Sequence, residues 1–203
     1  MSNYPDAAFL TSADSLTQFV ADAGTEVAFA GRSNAGKSSA INVIVNRKQF
    51  ARVSKTPGRT QLVNFFRLSG DKRLVDLPGY GYAKVSESMR RHWKSLMEDY
   101  FSQRRSLAGL FLIVDVRRGL VDFDLVMLEY AEQLGIPVHL LLTKADKLKR
   151  GQAARQFEET RRSLAGRAGV QLFSSLNRQG VDQARGRLNE MLGGHVNTGD
   201  TLA

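Results

Sequence analysis

The 203-residue chain contains no cysteine, which removes disulfides and thiolate-held metals from consideration. It has no long apolar run either: none reaches the ~20 residues that a membrane-spanning helix needs. The opening MSNYPDAAFL has neither the basic start nor the apolar stretch of a secretory signal, so a cytoplasmic protein is expected. The histidines His92, His139 and His195 stand at no metal-ligand spacing and receive no role. No internal repeat or interdomain linker interrupts the pattern, and the length fits one domain. Acidic residues are the scarcer charge, 20 Asp and Glu against 29 Lys and Arg, giving a net charge of +9 and a pI near 10.1. Such a surplus favours a polyanionic partner, nucleic acid or ribonucleoprotein, through phosphate neutralisation and counterion release. A basic surface that is merely solvated is the alternative. What is abundant is core material, with 42% hydrophobic residues.

Strand and helix patterns alternate. Strands are expected at Glu26–Ala30, Leu62–Leu68, Arg73–Leu77, Gly109–Val116, Pro137–Thr143 and Val170–Ser175. Helices are expected at Ser38–Asn46, Ser86–Arg104, Val121–Leu134, Lys149–Arg167 and Val181–Leu192. In the second of these, Met89, Trp93, Leu96, Met97, Tyr100 and Phe101 share one face, which makes Trp93 a core residue rather than a platform for a base. The pattern predicts an α/β fold of the P-loop type, a mostly parallel six-stranded sheet with helices on both faces. Residues 1–22 read as an N-terminal extension, 23–192 as the domain, and 193–203 as a weakly patterned tail expected to be disordered.

Four short stretches suggest chemistry. Gly31, Gly36, Lys37 and Ser38 fit G-x-x-x-x-G-K-[ST] between a predicted strand and a predicted helix. Glycines there let backbone N–H groups face phosphate oxygens, and the helix N-terminus adds its positive end. Lys37 would reach the β- and γ-phosphates, and Ser38 would bind Mg²⁺. Asp76, in DLPG, ends a predicted strand and can orient Mg²⁺ directly or through water; alone, it could simply open a Pro-Gly turn. In TKAD, Asp146 can accept two hydrogen bonds from the N1–H and 2-amino group of guanine, and the Lys144 stem can lie over the base. The alternative is that Asp146 caps the next helix. Ser174, Ser175 and Leu176 would offer backbone N–H to the guanine O6. In this order the motifs form the signature of a GTPase; a nucleotide kinase or ATPase would share only part of it.

On GRSNAGKSS, KTPGRTQLVNFF, DLPGYGYAKV and TKADKL, the chain from about Glu26 to Leu192 resembles the EngB (also YihA or YsxC) ribosome-biogenesis GTP-binding proteins. The resemblance implies a GTPase that binds the large ribosomal subunit or its precursor during assembly and is needed for normal growth and cell division. It also implies a switch threonine closing on Mg²⁺ and γ-phosphate, placed at Thr60 with Thr56 as second choice. The implied nucleotide contacts are Gly31, Arg32, Ser33, Asn34, Ala35, Gly36, Lys37, Ser38, Ser39, Gly58, Thr60, Asp76, Gly79, Thr143, Lys144, Asp146, Ser174, Ser175 and Leu176. Lys37, Thr60 and Asn34 would serve catalysis, and Ser38, Thr60 and Asp76 would hold Mg²⁺.

Two departures stand out. Tyr80 occupies the place of the water-positioning glutamine of Ras-like enzymes, so intrinsic hydrolysis should be slow and a partner or K⁺ should stimulate it. Thr143 stands where most GTPases have asparagine, which should cost hydrogen bonding around the base. In related GTPases an asparagine at the position of Asn34 ligates K⁺; a residue chosen for a tight loop is the alternative. Arg47, Lys48, Arg52, Lys55 and Arg59 crowd one loop, with Arg90, Arg91, Lys94, Arg104, Arg105, Arg117 and Arg118 further on. A surface facing ribosomal RNA is the preferred explanation. A nucleoside-triphosphate kinase or ATPase, and a GTP-binding scaffold that never turns over, are the competing functions.

Overall fold

The computed structural model describes residues 4–51, 62–81 and 86–193. Their strands are β1 (Ala8–Ala13), β2 (Thr25–Gly31), β3 (Val63–Ser69), β4 (Lys72–Asp76), β5 (Leu107–Asp115), β6 (Val138–Thr143) and β7 (Gly169–Leu172). The helices are α1 (Lys37–Val45), α2 (Glu87–Gln103), α3 (Asp122–Gln133), α4 (Arg150–Leu164) and α5 (Val181–Met191). The strands form one sheet in the order β1-β3-β4-β2-β5-β6-β7. β1 with β3 and β3 with β4 pair antiparallel; every other neighbouring pair is parallel.

The α/β class is as the sequence predicts, but the sheet has seven strands, not six. The additional one, β1, lies inside the segment read as an extension and pairs only with β3, through a register shift between Phe9 and Thr11. Its alternation is weak because it is an edge strand with Phe9 and Leu10 both exposed.

Side-chain alternation along the buried strands feeds two cores. On β2, Val27 and Phe29 face α1 and α5, while Ala28 and Ala30 face α2, α3 and α4. On β5, Phe111 and Ile113 join the first core, and Leu110, Leu112 and Val114 the second. The expected α2 stripe of Trp93, Leu96, Met97, Tyr100 and Phe101 is buried in that second core. Ser86 starts α2 by accepting the Met89 N–H, the capping geometry that satisfies an orphan first-turn donor.

At the amino end of β2, Glu26 is fully buried. Its carboxylate is paired with Arg104, accepts from Ser106 Oγ at 2.9 Å and Arg73 Nε at 3.2 Å, and has Tyr100 Oη at 3.4 Å. Arg104 therefore belongs to the interior and not, as its place at a helix end suggested, to the basic surface. It also donates to the Val20 carbonyl at 2.7 Å. Arg47, though exposed, is tied along the chain, donating to the carbonyls of Ala7 and Pro5.

Candidate functional site

Strands β2, β4, β5, β6 and β7 run the same way, so their carboxyl ends share one edge of the sheet. That edge is where open α/β sheets bind ligands. The phosphate loop, DLPG, TKAD and the Ser174–Ser175 pair all lie at this edge.

The loop from Arg32 to Gly36 joins β2 to α1. A side chain on Gly31 would place its Cβ 2.6 Å from the Ile113 carbonyl oxygen, and Gly36, which precedes α1, has φ +102. Both positions thus require glycine, one for space and one for backbone angle. Asn34 is also left-handed, with φ +63, a conformation asparagine tolerates better than most residues. Two N–H groups hold the loop in shape: Ser33 donates to the Tyr80 carbonyl and Ala35 to the Arg32 carbonyl, each at 2.9 Å. The N–H groups of Asn34, Gly36, Lys37, Ser38 and Ser39 meet no acceptor among the described residues. Three of these belong to the first turn of α1, whose donors are orphaned by geometry. That turn also contains no acidic residue, so its positive end is uncompensated. The result is an anion cradle.

Above it, Lys37 Nζ is ion-paired with Asp76 Oδ1. The first residue of α1 and the last residue of β4 thus meet directly, a pairing the sequence reading did not include. Ser38 adjoins the pair. A hydroxyl and a carboxylate are hard oxygen donors, and no group of three or more His, Cys, Asp or Glu able to hold a metal occurs among the described residues. This sparse set suits Mg²⁺, which keeps several waters and takes substrate phosphates as ligands. Thr56, Gly58 and Thr60 lie outside the described residues, as do Arg52, Lys55 and Arg59.

The second half of the site begins where β6 ends. The buried Thr143 hydroxyl lies against the Ala35 carbonyl and 3.0 Å from that of Val114. At this position threonine therefore ties the TKAD segment to the phosphate loop. Lys144, at φ +59, sends its ammonium back to the Asn34 carbonyl at 2.6 Å and Asp115 Oδ2 at 3.0 Å. Burial alone would raise the Asp115 pKa, but bonds from Arg117 and Lys144 outweigh it and hold the carboxyl well below the usual range. Asp115 was missed in the sequence; an aspartate closing an apolar strand before two arginines is the signal that could have found it.

Asp146 sits in a 3-10 turn, Ala145–Lys147, and does not cap α4, whose N-cap is Lys149. Its Oδ1 accepts from Ser174 Oγ at 2.6 Å. That bond, reinforced by Lys147 and opposed by slight burial, lowers the Asp146 pKa. The three N–H groups expected to face a base oxygen are not equivalent. Ser174 donates its own to Gln179 at 3.0 Å, and Leu176 donates to Ser174 Oγ at 3.2 Å. Of the three, only the Ser175 N–H has no acceptor among the described residues.

Tyr80 is buried, and its hydroxyl donates to Asp124 Oδ1 on α3. Burial first, and the neighbouring carboxylate next, push its pKa well up. The other Asp124 oxygen accepts from the Val121 N–H at 2.9 Å, closing the start of α3. Trp93 donates its indole N–H to the Pro78 carbonyl at 3.1 Å, which anchors α2 to the DLPG turn.

A family model described as "50S ribosome-binding GTPase" matches residues 26–144. Among curated proteins, the chain is 51% identical over 195 residues to "Probable GTP-binding protein EngB" of Nitrosococcus oceani, covering 95% of this chain and 98% of that protein. It is 50% identical over 192 residues to the protein of the same name from Francisella tularensis strain FSC 198, covering 92% and 98%. Among solved structures, a "probable GTP-binding protein engB" superposes with a TM-score of 0.66 at 20% identity, over 83% of this chain and 99% of the other.

Proposed function

The chain belongs to the EngB family of GTP-binding proteins, and from that premise we propose that it is a slow GTPase switch of the cytoplasm acting in assembly of the large ribosomal subunit. The observation that carries the reading is the pairing of an anion cradle at α1 with a buttressed carboxylate at Asp146, on one edge of one sheet. The cradle and Lys37 would take the phosphates of GTP, and Asp146 would take the guanine N1–H and 2-amino group, with the Ser175 N–H toward O6. Ser38 and Asp76, with Thr60, would hold Mg²⁺, which when bound supplies charge neutralisation at the β- and γ-phosphates. A phosphate arriving at Lys37 would compete with Asp76 for the ammonium and leave the carboxylate to face the cation.

Slow turnover is supported by Tyr80. Its hydroxyl is engaged with Asp124, so the residue after the DLPG turn is not available to orient an attacking water. Stimulation would come from outside, by the ribosomal partner or K⁺. The partner is supported by the description of the matching family and by the +9 net charge.

Co-sedimentation with isolated ribosomal subunits tests the reading. Association with large subunits is expected to be stronger with a GTP analogue than with GDP. It should weaken with salt, since each phosphate neutralised releases about 0.7–0.9 counterion. Equal association in both nucleotide states would overturn the switch, and none at low salt would overturn the ribosomal assignment.

A further inference from the structure

A groove of about 530 Å³ opens between α2 and α3, on the far side of Tyr80 from the phosphate loop. Its interior is formed by Tyr80, Trp93, Phe123, Val126 and Tyr130. The Phe123 ring stacks on Tyr80 with centroids 5.6 Å apart and planes at 27°, and meets Trp93 edge-on at 5.5 Å. Phe123 is nevertheless 40% exposed. The rim carries three cations and one carboxylate, Glu87. Arg90, Arg91 and Lys94 stand exposed along one wall. Arg91 and Lys94 reach Glu87 and Glu98 only through exposed helix-surface pairs at 3.1 and 3.6 Å, the weakest kind of ion pair. Arg90 has no ion pair among the described residues.

An open aromatic floor beneath a row of cations matches one chemistry well. Every nucleobase has a π-face that stacks on aromatic side chains, while arginine and lysine follow the phosphates. We propose that this groove holds an unstacked nucleotide of single-stranded ribosomal RNA, its base against Phe123 and its flanking phosphates on Arg90, Arg91 and Lys94. The proposal rests on the ribosome-binding reading above and names the contact. An apolar protein segment would fill the floor but leave the cationic wall unanswered, and the chain's net charge of +9 points the same way.

The groove is also joined to the nucleotide site. Gly79, Tyr80 and Gly81 line its floor. On the other side, the Tyr80 carbonyl accepts the Ser33 N–H, and Arg32 and Tyr80 form a parallel bridge. A shift of the DLPG turn toward a γ-phosphate would therefore move Tyr80, the ring on which Phe123 stacks.

The test replaces Phe123 by the photo-crosslinker p-benzoylphenylalanine in the full chain, confirms GTP binding, and irradiates it with large subunits and a GTP analogue. An adduct destroyed by ribonuclease is expected, reduced at least fivefold by Arg90→Glu with Lys94→Glu. Phe123→Ala, which leaves the GTP contacts in place, should weaken co-sedimentation five- to tenfold. An adduct to ribosomal protein alone overturns the proposal. So does the absence of any adduct while the same variant still co-sediments, an outcome that leaves the ribosomal reading standing. If the unsubstituted protein does not co-sediment at all, both fall together.

Discussion

The two carboxylate oxygens of Asp146 have different surroundings: Oδ1 accepts from Ser174, and Oδ2 lies 3.4 Å from Lys147 Nζ. An exchange of Asp146→Asn should weaken GTP by about 2–3 kcal/mol, the worth of a charge-assisted bidentate pair. It should also admit xanthosine triphosphate, because the new amide can donate to the xanthine 2-oxo group. Equilibrium dialysis with labelled nucleotides checks both, and unmodified protein that takes ATP as readily as GTP would defeat the guanine assignment. Ser174→Ala removes the main donor that lowers the Asp146 pKa. A depressed carboxyl pKa means the ionised form is favoured by the fold, a contribution present above the ordinary value and lost as pH falls through the folded one. In the variant, GTP affinity should therefore begin to fall at a higher pH than in the parent, and an NMR titration of the Asp146 carboxyl should move the same way. Asn34 separates shape from chemistry through its φ of +63. Hydrolysis faster in K⁺ than in Na⁺ is expected. Asn34→Gly, which keeps the loop's freedom and deletes the amide, should abolish the difference; a preserved difference would leave Asn34 only its conformational role. The phosphate loop and TKAD were legible because their residues are consecutive. The Tyr80–Asp124 bond was not, since its partners are 44 positions apart and neither neighbourhood signals the other.

Elements of the parallel core were legible for a similar reason. β2, β5 and β6 are continuous apolar runs bounded by turns, and α2 repeats its apolar residues at helical spacing. β1 escaped because an edge strand buries so little of either face that its sequence is free to lose alternation. What fastens the segment after β1 to the sheet is equally hidden: Arg73 donates to the Ala21 carbonyl at 3.3 Å and Arg104 to that of Val20, both arginines being gathered by Glu26. Truncating Glu26 to alanine would strip the buried Arg104 guanidinium of its nearer carboxylate, leaving only Asp22 at 3.8 Å, a loss of about 3–5 kcal/mol by precedent for broken buried pairs. Urea denaturation measures it. Because Glu26 lies near the start of β2 and the phosphate loop follows its other end, the folded variant should keep the parent's GTP affinity. A parallel loss of affinity would mean that the two ends of β2 are mechanically linked.

For the molecule as a whole, motif order along the chain foretold the single loaded edge of the sheet, because parallel strands joined by helices deliver every strand-end loop to the same side. The distribution of charge was less legible. Composition counts Arg47, Arg104 and Arg117 with the rest, yet the first two are tied to backbone carbonyls and the third is held by Asp115. Arg90, Arg91 and Lys94 are among the cations that face outward, together on one wall of α2. The same helix holds the chain's one tryptophan, donating to the carbonyl of Pro78 next to Gly79. All indole emission from this protein thus originates at a group bonded to the DLPG turn. Exchange of GDP for a GTP analogue in a stopped-flow fluorimeter should change that emission without any added dye, and Trp93→Phe should remove it, leaving only tyrosine emission. An emission trace that stays flat through exchange would mean that the Pro78 carbonyl does not register the γ-phosphate.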